Sequence, residues 1–246
     1  MSQIFHAAVY QPIYNALIFL YNTIPGHDFG IAIIVTTLIL KGLLYPLSQK
    51  QIESQKKLQD LQPKIKEVQT KHKHDKEQQT KAMMELYKTH KANPFGGCLP
   101  LVAQLVFLIA IYRILFQISS AGLTVDSAQL YQFVSNPGQI NNFFIGIVDL
   151  TKPNIFIAIM AAAAQFYQTK MLMAKQPKVE PKKDEQPDFA QIMNKQMMYL
   201  GPLLTLFIGI KFPAGLALYW LVSTLFAVLQ QLLIVKKANS TASTGA

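Results

Sequence analysis

Apolar runs long enough to cross a bilayer dominate this chain and leave few folds open to it. A spanning helix needs about 20 mostly apolar residues to cover a hydrocarbon core of roughly 30 Å. Runs at 29–48, 99–119, 154–173, 197–211 and 215–235 meet or approach that length. Hydrocarbon offers no partner to backbone N–H and C=O groups, so such segments must satisfy them internally as helices. The expected fold is therefore an all-α membrane protein with five transmembrane helices. Composition agrees: 51% of the residues are hydrophobic and 15% charged, where a soluble protein carries roughly 25% charged residues.

The start of the chain is apolar too, but His6, Gln11, Asn15 and Asn22 interrupt it, and Pro12 and Pro25 bracket it. Residues 4–23 read as a helix lying at the membrane interface; the alternative is a sixth span. No Lys or Arg precedes Lys41, so the basic start of a cleavable secretory signal is missing. The single cysteine, Cys98, excludes an internal disulfide and a cysteine-based metal cluster.

Lysine placement sets the orientation. Residues 50–91 hold eleven lysines and residues 170–195 hold six, and Lys236 and Lys237 follow the last span. Residues 1–28 hold no Lys or Arg, and residues 120–153 hold only Lys152. Basic segments stay in the cytosol, which places the N-terminus outside and the C-terminus inside. The predicted order is an extracytoplasmic interfacial helix (1–28), a first span (29–48), a cytosolic segment (49–97), a second span (99–119), an extracytoplasmic loop (120–153), a third span (154–173), a cytosolic loop (174–196), a fourth span (197–211), a fifth span (215–235) and a cytosolic tail (236–246). The fourth span is short, about 21 Å from Met197 to Ile210 at 1.5 Å per residue, and "KFPAG" turns it back into the fifth.

The segment 49–97 is patterned. Leu58, Leu61, Ile65 and Val68 recur at helical spacing between Lys, Gln and Glu, "HKHD" breaks the pattern, and Met83, Met84, Leu86 and Tyr87 resume it. This predicts a cytosolic helical hairpin, with Pro63 kinking the first arm or starting a new helix. The loop "KQPKVEPKKDEQPD" has the composition of a mobile linker.

Lys41 stands inside the first apolar run. An ammonium near the middle of a spanning helix costs roughly 2.5–3.5 kcal/mol on insertion scales. Either it snorkels to the cytosolic interface, or it is held in a wet cavity between helices. Thr37, Lys41, Tyr45 and Ser48 fall on one helical face, which favours the cavity. Gln104, Gln165, Ser223 and Gln230 are further polar residues within spans, each alone readable as interhelical glue. No Asp or Glu lies inside a central span. The cation thus has no fixed acidic partner there, which suits a transient acidic or polar guest. Arg113, near the outer end of its run, reads as a snorkelling residue, and Trp220 reads either as an aromatic anchor of the interface or as a groove residue. His72 and His74 form no wider ligand cluster. There is no catalytic triad, no zinc-binding HExxH and no phosphate-cradling glycine loop, so neither an enzyme nor a cofactor is expected.

Five blocks, "KGLLYPLSQKQ", "LQPKIKEVQ", "MMELYK", "NPFGGCLPLVAQLVFLIAIYRIL" and "FPAGLALYWLVSTLFAVLQQ", occur in this order. They resemble the membrane protein insertases of the YidC/Oxa1/Alb3 family over roughly residues 8–237. The resemblance implies five spans around a hydrophilic groove open to cytosol and lipid and closed to the outside. By the same matching, Lys41 is the groove cation, and Gln165 and Trp220 line the groove with it. The family usually has Arg where this chain has Lys41, and Arg holds its charge more firmly than Lys does. The chain also reads as lacking the large extracytoplasmic domain of Gram-negative members and the long basic tail of ribosome-holding members.

The function expected is that of an insertase or chaperone in a bacterial plasma membrane. It receives nascent membrane proteins in the groove and releases their apolar segments into lipid without ATP. The expected client contacts are Lys41, Thr37, Tyr45, Gln104, Gln165, Trp220, Ser223 and Gln230. The hairpin lysines Lys56, Lys57, Lys64 and Lys66 are expected to meet the client or the ribosome. A targeting receptor, a Sec-type channel and membrane lipids complete the expected partners, with no small-molecule substrate. A small transporter using Lys41 as counter-charge, and a purely structural assembly factor, are the competing classes.

Overall fold

A computed structural model of the protein describes residues 3–73, 75–92, 99–173 and 189–243. The block at 93–98 with Cys98, the loop at 174–188, His74 and the extreme C-terminus lie outside them. The chain is mostly helical. A short turn, α1 (Gln3–Phe5), a π-helical turn (His6–Tyr10) and α2 (Gln11–Thr23) lead into α3 (Phe29–Leu43) and α4 (Tyr45–Asp60). Two further helices follow, α5 (Gln62–Lys71) and α6 (Lys76–Thr89), and then α7 (Leu99–Ser120). A loop carries a small antiparallel pair, β1 (Phe143–Phe144) and β2 (Val148–Asp149), with Phe143 opposite Asp149 and Phe144 opposite Val148. The chain closes with α8 (Ile155–Met173), α9 (Phe189–Lys211) and α10 (Ala214–Ser243).

Local chemistry explains several boundaries. The Asp28 carboxylate accepts from Ile31 N at 2.9 Å, capping the orphan donors at the start of α3. Pro46 has no N–H to return to the carbonyl four residues back, and α3 and α4 part just before it, bent by 63°. The run at 29–48, read from sequence as one straight span, is therefore broken at Leu44. Pro63 sits in the first turn of α5, where the missing donor costs nothing, so it starts a helix rather than kinking one. Asp75 caps α6 through Glu77 N and Gln78 N.

Among the described residues, Ile155–Met173 and Ala214–Ile234 are each long and apolar enough to cross a membrane, and Phe29–Leu43 with Tyr45–Leu58 qualifies as a bent pair. Gln104–Ser120 and Met198–Lys211 are apolar but shorter. That makes two or three candidate spans where five are expected. The helices α7 and α9 enter that count only through the stretches Gln104–Ser120 and Met198–Lys211.

Helix α10 is the centre of the bundle, packing on α3, α7, α8 and α9. The main core sits at one end. It gathers Phe29, Ala32 and Ile33 of α3, Ala110, Ile111, Ile114, Leu115 and Ile118 of α7, Ile157 of α8 and Ala214 to Tyr219 of α10. Tyr10, Ile13, Tyr14, Leu17, Ile18 and Tyr21 pack into the same core from the N-terminal helix. The polar residues that interrupt this helix in sequence face the loop after α7. Asn15 Nδ2 donates to Gln129 O at 2.9 Å, and Asn15 Oδ1 accepts from Tyr131 N at 2.6 Å. Asn22 donates to Ser135 O at 2.6 Å, and a His6 ring nitrogen lies 2.8 Å from Gln129 Oε1. A second, small cluster of Leu61, Ile65 and Ala92 joins α5 and α6.

Candidate functional site

The four helices around the core turn polar at a common depth. On α3 the buried apolar residues end at Ile33, and Thr36, Thr37 and then Lys41 follow. On α7, running the opposite way, Gln104 precedes the buried set that begins at Ala110. On α8 the buried Ile157, Ala158 and Ala161 give way to Gln165. On α10 the apolar block ends at Tyr219 and Leu221, and Ser223, Thr224, Gln230 and Gln231 are buried beyond it. An apolar plug at one end thus passes into a polar layer within two or three helical turns on every helix.

Two glutamines organise that layer. Lys41 Nζ donates to Gln104 Oε1 at 3.1 Å, and Ser223 Oγ donates to the same oxygen at 3.0 Å. This node ties α3, α7 and α10 together. Gln165 Oε1 accepts from Trp220 Nε1 and from Thr224 Oγ1, each at 3.3 Å, tying α8 to α10. The nodes lie on adjacent strips of α10 because Trp220 and Thr224 are four residues apart, as are Tyr219 and Ser223. Gln230 Nε2 reaches Tyr45 O at 3.4 Å, holding α10 against the first turn of α4.

Seven of the eight residues expected in the groove thereby enter shared contacts: Lys41, Gln104 and Ser223 in one node, Gln165 and Trp220 in the other, and Gln230 with Tyr45 through the backbone of the latter. Thr37 does not join. Its hydroxyl donates to Ile33 O at 2.6 Å within its own helix. Ser48 likewise bonds Leu44 O at 3.0 Å. The break at Leu44 separates Tyr45 and Ser48 from the helix of Thr37 and Lys41, so the four do not form one continuous helical stripe. The hydroxyl of Thr36 is buried without a hydrogen-bond partner. Thr224 is a site residue that the sequence pattern does not single out, although its spacing of four from Trp220 carries the signal.

Among the described residues no ion pair involves Lys41; the two present are Lys81–Glu77 and Lys152–Asp149. In the α4–α6 segment Lys56 and Lys57 are exposed. Lys64 Nζ lies 2.9 Å from His90 Nε2, bracing α5 against the end of α6. Arg113 stands 6.0 Å from the centre of the Phe5 ring, a cation–π distance.

The matching of whole sequences decides the family. Residues 19–241 match the model of the family described as 60Kd inner membrane protein. The chain belongs to this family. A relative from Fusobacterium nucleatum, named membrane protein insertase YidC, is 34% identical over 231 residues, covering 93% of this chain and 98% of its own length. A relative of the same name from Geobacter metallireducens is 35% identical over 230 residues, and this chain spans 37% of it. One from Wolinella succinogenes is 33% identical over 226 residues, again with 37% spanned. This member of the 60Kd inner membrane protein family thus aligns with the full length of one relative and with little more than a third of the others. The stretch that matches the family contains both glutamine nodes, the α4–α6 segment and α10 up to residue 241. Family membership and the apolar helices together make the chain a membrane-embedded protein.

Proposed function

We propose that the protein is a membrane protein insertase that receives nascent membrane proteins in a positively charged intramembrane groove and releases their apolar segments into lipid without ATP hydrolysis. The observation that carries this reading is the Lys41–Gln104–Ser223 node, seated just beyond an apolar plug. The node holds a cation on a neutral acceptor. An amide oxygen orients the ammonium without neutralising it, so its charge stays available to an arriving carboxylate.

The physical logic follows from that arrangement. A polar client segment must pass an apolar barrier. A wet layer reaching partway across shortens the barrier, and the plug of α3, α7, α8 and α10 prevents a leak. Lys41 attracts acidic groups of the outward-going segment. The client's apolar helix then leaves sideways into lipid, gaining roughly 25 cal/mol per Å² of apolar surface removed from water. In this reading, five spans with the N-terminus outside, in a bacterial plasma membrane, leave residues 49–97 as a helical hairpin in the cytosol. There Lys56, Lys57, Lys64 and Lys66 would receive the client or the ribosome, where a targeting receptor or a Sec-type channel also has access. A transporter would need a polar lining on both sides of the layer, and the plug is the reverse of that.

Purified protein in liposomes, given ribosomes translating a small client with an acidic outer segment in nucleotide-depleted buffer after chain completion, tests the proposal. Protease protection of that segment, with a crosslink from position 41 to the client, is the expected result. A client left fully digestible, with no crosslink, would overturn it.

A further inference from the structure

The β1–β2 hairpin presents an apolar tip at the end of the bundle where α3, α8 and α10 begin. From Phe143 to Val148 the chain reads "FFIGIV", with no charged or hydrogen-bonding side chain. Ile145 is 64% exposed and Ile147 is 80% exposed, and Phe143 is exposed as well. Ile147 N donates to Phe144 O at 3.0 Å across a turn whose central residues, Ile145 and Gly146, have φ of 52° and 69°. Two successive positive φ values within this three-residue loop are a backbone conformation that an Asn-Gly pair adopts readily. A β-branched residue at positive φ is a genuine outlier. The chain therefore sets a strained isoleucine at the tip, where asparagine would sit at ease and be soluble.

The hairpin is firmly mounted. The Asp28 carboxylate that caps α3 through Oδ1 also accepts from Ile145 N through Oδ2, at 2.6 Å. Phe144 lies against Gly30 so closely that a Cβ there would fall 2.3 Å from the ring. Leu150, just past the hairpin, is fully buried, and its carbonyl accepts from Gly215 N at the start of α10 at 3.0 Å. The neighbouring helix α8, apolar enough to span a bilayer, exposes Ile155, Phe156, Ile159 and Met160 from its first turn onward. The tip and the exposed apolar start of α8 thus lie at the same end of the molecule, six residues apart in the chain from Asp149 to Ile155.

We propose that hairpin 143–149 is a lipid-seated anchor, with Ile145 and Ile147 inserted into the headgroup–acyl boundary of the leaflet at which α8 begins. Rigid attachment to α3 and α10 would make it a depth stop for the bundle. The occupant is phospholipid because a helix apolar enough to span a bilayer begins just after the hairpin with exposed apolar side chains, and the tip offers no polar side chain for protein recognition.

The test uses the full chain in nanodiscs, with Cys98→Ser removing the native thiol and Ile147→Cys carrying an environment-sensitive fluorophore. Quenching by nitroxide lipids labelled near the headgroup is expected, with a severalfold lower iodide quenching constant than the same label at Lys152→Cys. Iodide quenching equal to that control, without nitroxide quenching, would overturn the proposal. So would shielding from both quenchers, which means a protein cover such as a second copy. Ile145→Asn fits the positive φ and keeps the hairpin; it should move the label at position 147 toward water, and an unchanged label depth would count against insertion.

Discussion

Lys41 and Ser223, on helices that run in parallel from the apolar plug, donate to one carbonyl oxygen, that of Gln104, at 3.1 and 3.0 Å. A single neutral side chain therefore fixes where the only basic residue inside the first apolar run points. The proposed mechanism depends on that ammonium being aimed yet not neutralised.

Lys41→Ala should impair insertion of a client with an acidic outer segment, and Lys41→Arg should preserve it. A charge-assisted contact is worth about 1.5 kcal/mol or more, so a loss near tenfold in insertion rate is expected. Clients without acidic outer groups should respond less. Protease protection of paired clients differing only in those carboxyl groups measures the difference.

Gln104 separates structure from charge. Gln104→Leu leaves two donors without their acceptor and should cost about 1–3 kcal/mol of stability, seen as a lower thermal midpoint in detergent. Gln104→Glu keeps an acceptor but pairs Lys41 with a fixed carboxylate. It should stay folded and still insert acidic clients as poorly as Lys41→Ala does. Normal insertion by the Glu variant would show that a free cation is not needed.

Gly209 is a spacing residue. A Cβ there would lie 2.6 Å from Ala158 Cβ and 3.0 Å from Ala158 Cα. The neighbour is partly backbone and cannot rotate away. Small residues let helices approach closely in membranes, and Gly209→Ala should force α8 and α9 apart at a cost of about 1–3 kcal/mol. Thermal unfolding should fall for Gly209→Ala much more than for Gly42→Ala, where a Cβ meets nothing within 4 Å.

Asp149 gives the fold an acid limb. Partial burial pushes its carboxyl up. The Thr151 hydroxyl and amide, the Lys152 ammonium and Asn142 outweigh that, holding it below the ordinary 3.8. A depressed carboxyl stabilises the fold above its unfolded value, and that contribution disappears as pH falls from 3.8 through the folded value. This turn also caps α10, because Ala214 N donates to Lys152 O at 2.8 Å. Asp149→Asn should lower stability at neutral pH and flatten the decline below pH 3.8, as followed by helical circular dichroism.

The polar layer was legible because a Lys or Gln inside an apolar run is an anomaly that needs a partner. Lys41, Gln104, Gln165 and Ser223 were found that way. Thr224 escaped because a threonine in a helix can bond its own preceding turn, as Thr37 does, and so raises no alarm. The bend at Leu44 was missed although Pro46 announces it, since apolar content alone does not register a lost backbone donor. The β-hairpin was out of reach for another reason. "FFIGIV" lacks the Asn-Gly pair that signals such a turn, and its strain is held by Asp28, more than a hundred residues earlier. Helix type and order came from local pattern, whereas the pairing of polar groups across helices is a tertiary fact.

The four polar residues of the N-terminal helix have a consequence for synthesis. His6, Gln11, Asn15 and Asn22 find their partners at Gln129, Tyr131 and Ser135, separated from them by more than a hundred positions. At a ribosome adding about 5–20 residues per second, this helix waits several seconds with its amides hydrated or unsatisfied. It cannot complete these contacts until α7 and the loop after it have been made. The protein proposed to shelter half-made membrane proteins must itself pass through such a state, with its N-terminal helix short of its partners until the middle of the chain arrives.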